Sequence, residues 1–128
     1  MSPFKPEKLA VVSLWAENVP ATVHFYRDVI GLPLLPHHAH PPALELGPGA
    51  YLAIVEGQPG FAEEPGGSRF PVLAFAVRDL DEAVPHLKKH GIELVQGMET
   101  GASGRWVRLY DPAGNLIELV QFDRAPHS

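Results

Sequence analysis

One pattern is written twice along this chain, once before about residue 60 and once after it. An alternating apolar run over residues 9–15 leads through Glu17, Asn18 and Val19 into Ala21-Thr22-Val23-His24-Phe25-Tyr26-Arg27-Asp28-Val29-Ile30-Gly31. A second run over residues 71–77 leads through Arg78, Asp79 and Leu80 into residues 81–91, which end in His90-Gly91. Short strands punctuated by Gly and Pro follow each copy. A repeat of this length means a duplicated supersecondary unit, here strand, helix, strand, strand, strand.

Both helices are legible. In the first, Val23, Tyr26, Val29 and Ile30 recur at spacings of three and four, Phe25 widens the apolar face, and Gly31 supplies the C-terminal stop. The second has Asp79 as N-cap, Asp81 and Glu82 in its first turn, Leu80, Ala83, Val84 and Leu87 toward the core, and Gly91 after its end. Pro85 argues for a start near Asp81, where its missing N–H costs least. Strands are expected at residues 9–15, 33–35, 43–46 and 50–56, then at 72–77, 93–95, 104–110 and 116–121.

At 128 residues the chain reads as a single domain able to bury roughly two-thirds of its unfolded surface. Module one runs over about residues 8–56 and module two over about 70–122. The Gly-, Pro- and Glu-rich residues 57–69 between them form a linker or a lid. The absence of cysteine excludes disulfides, thiolate metal sites and a cysteine nucleophile, and fits a cytoplasmic location. No apolar run approaches the ~20 residues of a membrane span, and residues 1–6 have no signal-like core. Fifteen acidic residues against ten scattered basic ones argue against a nucleic-acid partner and leave a small molecule as the expected one.

The paired units, the helix exit Phe25-Tyr26-Arg27-Asp28-Val29-Ile30-Gly31-Leu32 and the hairpin Asp111-Pro112-Ala113-Gly114-Asn115-Leu116-Ile117-Glu118-Leu119 together resemble the vicinal oxygen chelate superfamily. That group holds glyoxalase I, extradiol dioxygenases, fosfomycin resistance enzymes and bleomycin resistance proteins. The resemblance implies an α+β fold of two βαβββ modules, their curved mixed sheet around an open cavity with helices outside, and usually a homodimer. It also implies metal ligands drawn from His, Gln and Glu on the first and last strands of each module. At the matching positions this chain has Val11, Ile54, Val72 and Glu118, taking Leu52-Ala53-Ile54-Val55 as the repeat of Leu116-Ile117-Glu118-Leu119. A lone carboxylate cannot meet the three or four ligands that zinc requires, so no metal and no cofactor are expected.

The sequence therefore points to a metal-independent binding protein of the bleomycin-resistance-like kind, sequestering or sensing an apolar or aromatic ligand. Strand parity puts Ser13 and Trp15 beside Val11, Ala74 and Ala76 beside Val72, Leu52 and Glu56 beside Ile54, and Leu116 and Val120 beside Glu118. The expected ligand-binding residues are Ser13, Trp15, Leu52, Ile54, Ala74, Trp106 and Glu118. From the seventh strand Trp106, and Arg105 or Arg108, are candidates to join them, and only one of each alternating pair can point inward. A carboxylate at position 118 needs a ligand contact or a structural partner such as Arg, Tyr or Ser.

Of the histidines, His86 and His90 read as a solvated helix face and His24 as near the surface. His37, His38 and His40 lie between the second and third strands, where the fold borders the cavity mouth, as an exposed hairpin or as cavity-facing imidazoles. They carry the alternative, an enzyme of lyase, isomerase or dioxygenase type with a metal relocated to Glu118 and residues 37–40. No nucleophile elbow, phosphate loop or dinucleotide fingerprint is present.

Overall fold

The computed structural model describes residues 3, 6–57 and 72–123. Residues 58–69 of the expected linker lie outside the described residues. The chain divides into two compact units with the boundary between Pro59 and Gly60.

The first unit runs β1 (Val11–Ala16), α1 (Val19–His24), a π-helical continuation (Phe25–Ile30), β2 (Leu34–Ala39), β3 (Pro42–Gly47) and β4 (Ala50–Glu56). Its sheet has the order β1-β4-β3-β2, with β1 parallel to β4 and the other pairs antiparallel. Asn18 caps the helix, its Oδ1 accepting from Ala21 N–H at 3.0 Å, while Pro20 sits in the first turn where no intrahelical donor is needed. The apolar spacing predicted one continuous α-helix; its second half is wound more widely, and the Gly31 and Leu32 N–H groups both reach the Tyr26 carbonyl. Gly31, at φ 97°, ends it in a left-handed conformation. Thr22, Phe25, Tyr26 and Val29 are buried with Ala16, Leu44, Leu52 and Ile54 in the core between helix and sheet.

The second unit runs β5 (Leu73–Ala76), α2 (Leu80–Lys89), β6 (Glu99–Gly101), β7 (Gly104–Tyr110) and β8 (Leu116–Phe122), with sheet order β5-β8-β7-β6. The two units are thus four-stranded mixed sheets of the same topology, each carrying a helix, which is the α+β organisation the repeat predicts. Asp79 caps α2 by accepting from Asp81 N–H at 2.9 Å. Leu80 and Leu87 are buried, and the core continues through Val107, Leu109, Ile117 and Leu119.

The second helix begins at Leu80 behind its Asp79 cap, one residue from the expected start, and Pro85 lies inside it with no N–H to offer the Asp81 carbonyl. Two expectations shift. Residues 93–95 form only an isolated bridge, Leu94 with Leu109, and the edge strand pairing with β7 is β6. The second strand continues past residue 35 to Ala39, which carries His37 and His38 onto the sheet.

Candidate functional site

The hairpin motif sets the geometry of the second sheet. Asp111, 4% exposed, accepts hydrogen bonds from the N–H groups of Ala113 and Asn115, both at 2.9 Å, and from Asn115 Nδ2 at 3.0 Å. Gly114 turns through φ 89°. This tight connection pairs Tyr110 with Leu116, Arg108 with Glu118 and Trp106 with Val120. The buried set Val107, Leu109, Ile117 and Leu119 belongs to the other parity. Trp106, Arg108, Tyr110, Glu118 and Val120 therefore share one open face with Ala74 and Ala76.

The register decides between the two arginines. Arg105 points to the opposite side, where its Nη2 donates to Asp81 Oδ2 at 3.0 Å and to Gln121 Oε1 at 3.1 Å. The hydrogen bond and charge of Arg105 hold the Asp81 carboxyl below its usual range. Arg108 stands on the open face. Its Nε donates to Glu118 Oε2 at 3.1 Å and lies 3.4 Å from Glu99 Oε2. Glu99 pairs with Trp106 across β6 and β7, so it shares that face; its Oε2 is buried and accepts no hydrogen bond from the described residues. The Trp106 ring lies over Gly101, where an added Cβ would come within 2.9 Å of it.

In the first sheet β1 and β4 pair Val11 with Tyr51, Ser13 with Ala53 and Trp15 with Val55. Val11, Ser13 and Trp15 share the open face as their alternation predicts, and Trp15 is 52% exposed. Leu52 and Ile54 do not join them. Both side chains are fully buried on the helix side, and the expected parity of residues 52, 54 and 56 is corrected by one position. The repeat mate of Glu118 is Ala53, because Ser13 pairs with Ala53 as Ala74 pairs with Glu118.

A cavity of about 520 Å³ opens on this face, lined by Val11, Ser13, Tyr51, Ala53 and residues 37–41. The His38 and Tyr51 rings are tilted together with centroids 4.7 Å apart. A neighbouring cavity of about 520 Å³ is bordered by Val19, Pro20, residues 39–42 and residues 54–56. The histidine segment thus walls both cavities while being exposed. Trp15 lies outside the lining of either one. Among the described residues no three of His, Asp or Glu converge as a metal site. His86 and His90 are exposed with ring centroids 4.7 Å apart, and His24 pairs with Asp28 at 2.6 Å on an exposed helix face.

The family model described as the Glyoxalase/Bleomycin resistance protein/Dioxygenase superfamily matches residues 8–119. The chain belongs to this superfamily.

Within the superfamily, the chain is 41% identical over 58 residues to a glyoxalase domain-containing protein, RDO1, of Mycosarcoma maydis. That stretch is 41% of this chain and 33% of the relative, so the match spans about a third of the relative's length. The solved structure of a glyoxalase/dioxygenase from Nostoc punctiforme is similar with a TM-score of 0.79 at 22% identity, covering 97% of each chain. TnmS3, an antibiotic-binding protein from Streptomyces sp. CB03234, is similar with a TM-score of 0.70 at 21% identity, covering 94% of this chain and 99% of that one. At these identities the two structures establish the fold.

The superfamily resemblance implies a metal, and the described residues at the matching positions do not fit one. Val11, Ala53 and Val72 offer no donor atom, and Glu118, the remaining carboxylate, is already engaged by a guanidinium. A divalent cation at Glu118 would face both a shortage of ligands and the positive charge of Arg108. Sequence reasoning left the partner of Glu118 open and missed Glu99, Tyr51 and Tyr110. Glu99 lies on an edge strand whose position the apolar pattern did not reveal.

Proposed function

We propose that this chain is a metal-independent small-molecule-binding protein that sequesters or senses an apolar or aromatic ligand on its open sheet faces. The observation that carries this reading is the Arg108–Glu118 pair at 3.1 Å, which uses the one carboxylate retained at a family metal position. Support also comes from the apolar character of those faces, where Val11, Trp15, Tyr110 and Phe122 are all more than 40% exposed. A homodimer, which the superfamily resemblance implies, belongs to the reading, as do a cytoplasmic location and the absence of nucleic-acid or membrane partners. No helix among the described residues is long and apolar enough to cross a membrane.

The test is elemental analysis of protein purified without a metal-binding tag, followed by calorimetric titration with nickel, zinc, manganese and iron. The expected result is no stoichiometric metal and no tight uptake, together with thermal stabilisation by members of an aromatic and antibiotic panel. Tight one-to-one uptake overturns it.

The histidine-lined cavity favours a second reading, an enzyme of lyase or isomerase type with an imidazole as general base. Turnover unchanged after replacing His37, His38 and His40 with Ala removes that reading.

A further inference from the structure

The geometry points to Arg108 as the polar anchor of the ligand, and to a flat aromatic compound carrying an uncharged carbonyl-type oxygen as the ligand class. This rests on the ligand-binding reading above and narrows it.

Three side chains at alternate positions of β7, Trp106, Arg108 and Tyr110, project from the same open face, so a cation stands between two aromatic rings along one strand. Arg108 is held at Nε. Both of its carboxylate contacts run through that atom, to Glu118 Oε2 at 3.1 Å and Glu99 Oε2 at 3.4 Å. Among the described residues neither Nη nitrogen hydrogen-bonds a protein group, and these are the donors assigned to the ligand. The exposures follow the same order: the Arg108 side chain is 38% exposed, and the Glu99 and Glu118 side chains 23% and 24%. Of the three side chains, Arg108 is the most accessible to a ligand reaching this face, and it offers only N–H donors.

The charges then select the acceptor. One guanidinium is flanked by two carboxylates, so the cluster as a whole does not attract an anion, although its accessible atoms are donors. An ammonium group would face the guanidinium at contact distance. A neutral carbonyl, quinone or aryl ketone oxygen satisfies the exposed N–H groups without either repulsion. Its ring system then lies against Trp106, whose indole is steadied over Gly101, and along the Ala74 and Ala76 side of the sheet, where small side chains leave room.

The test uses four probes on one aromatic frame: 2-acetylnaphthalene, 2-naphthoate, 2-naphthylmethylammonium and 2-ethylnaphthalene. Each is titrated into the full chain by calorimetry, with the Trp106 indole N–H and Arg108 Nε–H resonances followed by NMR. Acetylnaphthalene should bind about tenfold or more tightly than ethylnaphthalene, as expected for a hydrogen bond from a charged donor, and should lead the two ionic probes. It should shift both resonances. Arg108→Lys, which keeps the charge opposite Glu118 but loses the planar fork, should abolish the preference for acetylnaphthalene and leave the affinity for ethylnaphthalene within about twofold. If Arg108→Lys does not fold, Arg108→Met combined with Glu99→Gln and Glu118→Gln removes the cluster without stranding a charge and should give the same result. Preference for naphthoate or the ammonium probe, a ranking unchanged by these variants, or no shift at Trp106 overturns the inference. If ethylnaphthalene still binds in those cases, ligand binding itself stands. Tight metal uptake, measured separately, would instead remove the broader reading.

Discussion

Arg108 Nε and Glu118 Oε2 face each other at 3.1 Å across the β7–β8 ladder, on a sheet face whose other members are mostly apolar or aromatic. The pair converts a position where the superfamily resemblance implies a metal ligand into half of an internal ion pair. Both side chains are partly exposed, so solvent screens the attraction. Its importance lies in positioning: the Nε contact holds the guanidinium on the open face.

Replacing Arg108 with Met should destabilise the chain more than replacing Glu118 with Gln, because the first strands two carboxylates, including the buried Glu99 Oε2, while the second leaves Arg108 in contact with Glu99. We expect about 1–3 kcal/mol for Arg108→Met and under about 1 kcal/mol for Glu118→Gln in urea unfolding. A double-mutant cycle should give a favourable coupling of up to about 1 kcal/mol, and zero coupling would show that the pair contributes nothing to stability.

The two faces of the first sheet should respond differently. Leu52→Ala and Ile54→Ala empty fully buried space and should each cost about 2–5 kcal/mol. Trp15→Ala, at a half-exposed position, should cost far less and instead weaken binding of aromatic ligands. Equal destabilisation at residues 15 and 54 would contradict the face assignment.

Asp111→Ala removes an acceptor that serves three N–H donors in a part-buried turn, so it should destabilise by about 2 kcal/mol or more. Asp111→Asn should recover only part of that, since the neutral amide is a weaker acceptor. Because the turn sets the register that joins Arg108 to Glu118, ligand affinity should fall in parallel; stability lost with binding intact would separate the two.

Acid should weaken the fold through two carboxylates whose folded values are lowered, Asp28 mainly by its hydrogen bond from Arg27 and Asp81 mainly by its hydrogen bond from Arg105. A lowered folded value means the contribution is fully present above the unfolded carboxyl range of about pH 4 and is lost as pH falls through the folded value. Tm should therefore be flat in these contributions from neutrality down to about pH 5 and decline below about pH 4. In Asp81→Asn the acid decline should be shallower; an unchanged slope would mean that Arg105 and Asp81 do not pair in solution.

The duplication, both helices, the Asp79 cap and the Asp111–Asn115 hairpin were legible in the sequence, because each is a local property: apolar spacing, a capping side chain, a glycine where the backbone must turn. The family resemblance marked Val11, Val72 and Glu118 as matching positions, and the repeat paired Val11 with Val72. Tertiary structure decided which face each strand presents. Residues 51–55, Tyr-Leu-Ala-Ile-Val, are apolar at both parities, so alternation offers no contrast, and only pairing with β1 settles that Leu52 and Ile54 turn to the helix while Tyr51 and Ala53 turn outward. In β7 a cation stands at each parity. Asp81 on α2 captures Arg105 and the β7–β8 register brings Arg108 to Glu118, two contacts between residues distant in sequence or joined across a ladder, which no local pattern encodes.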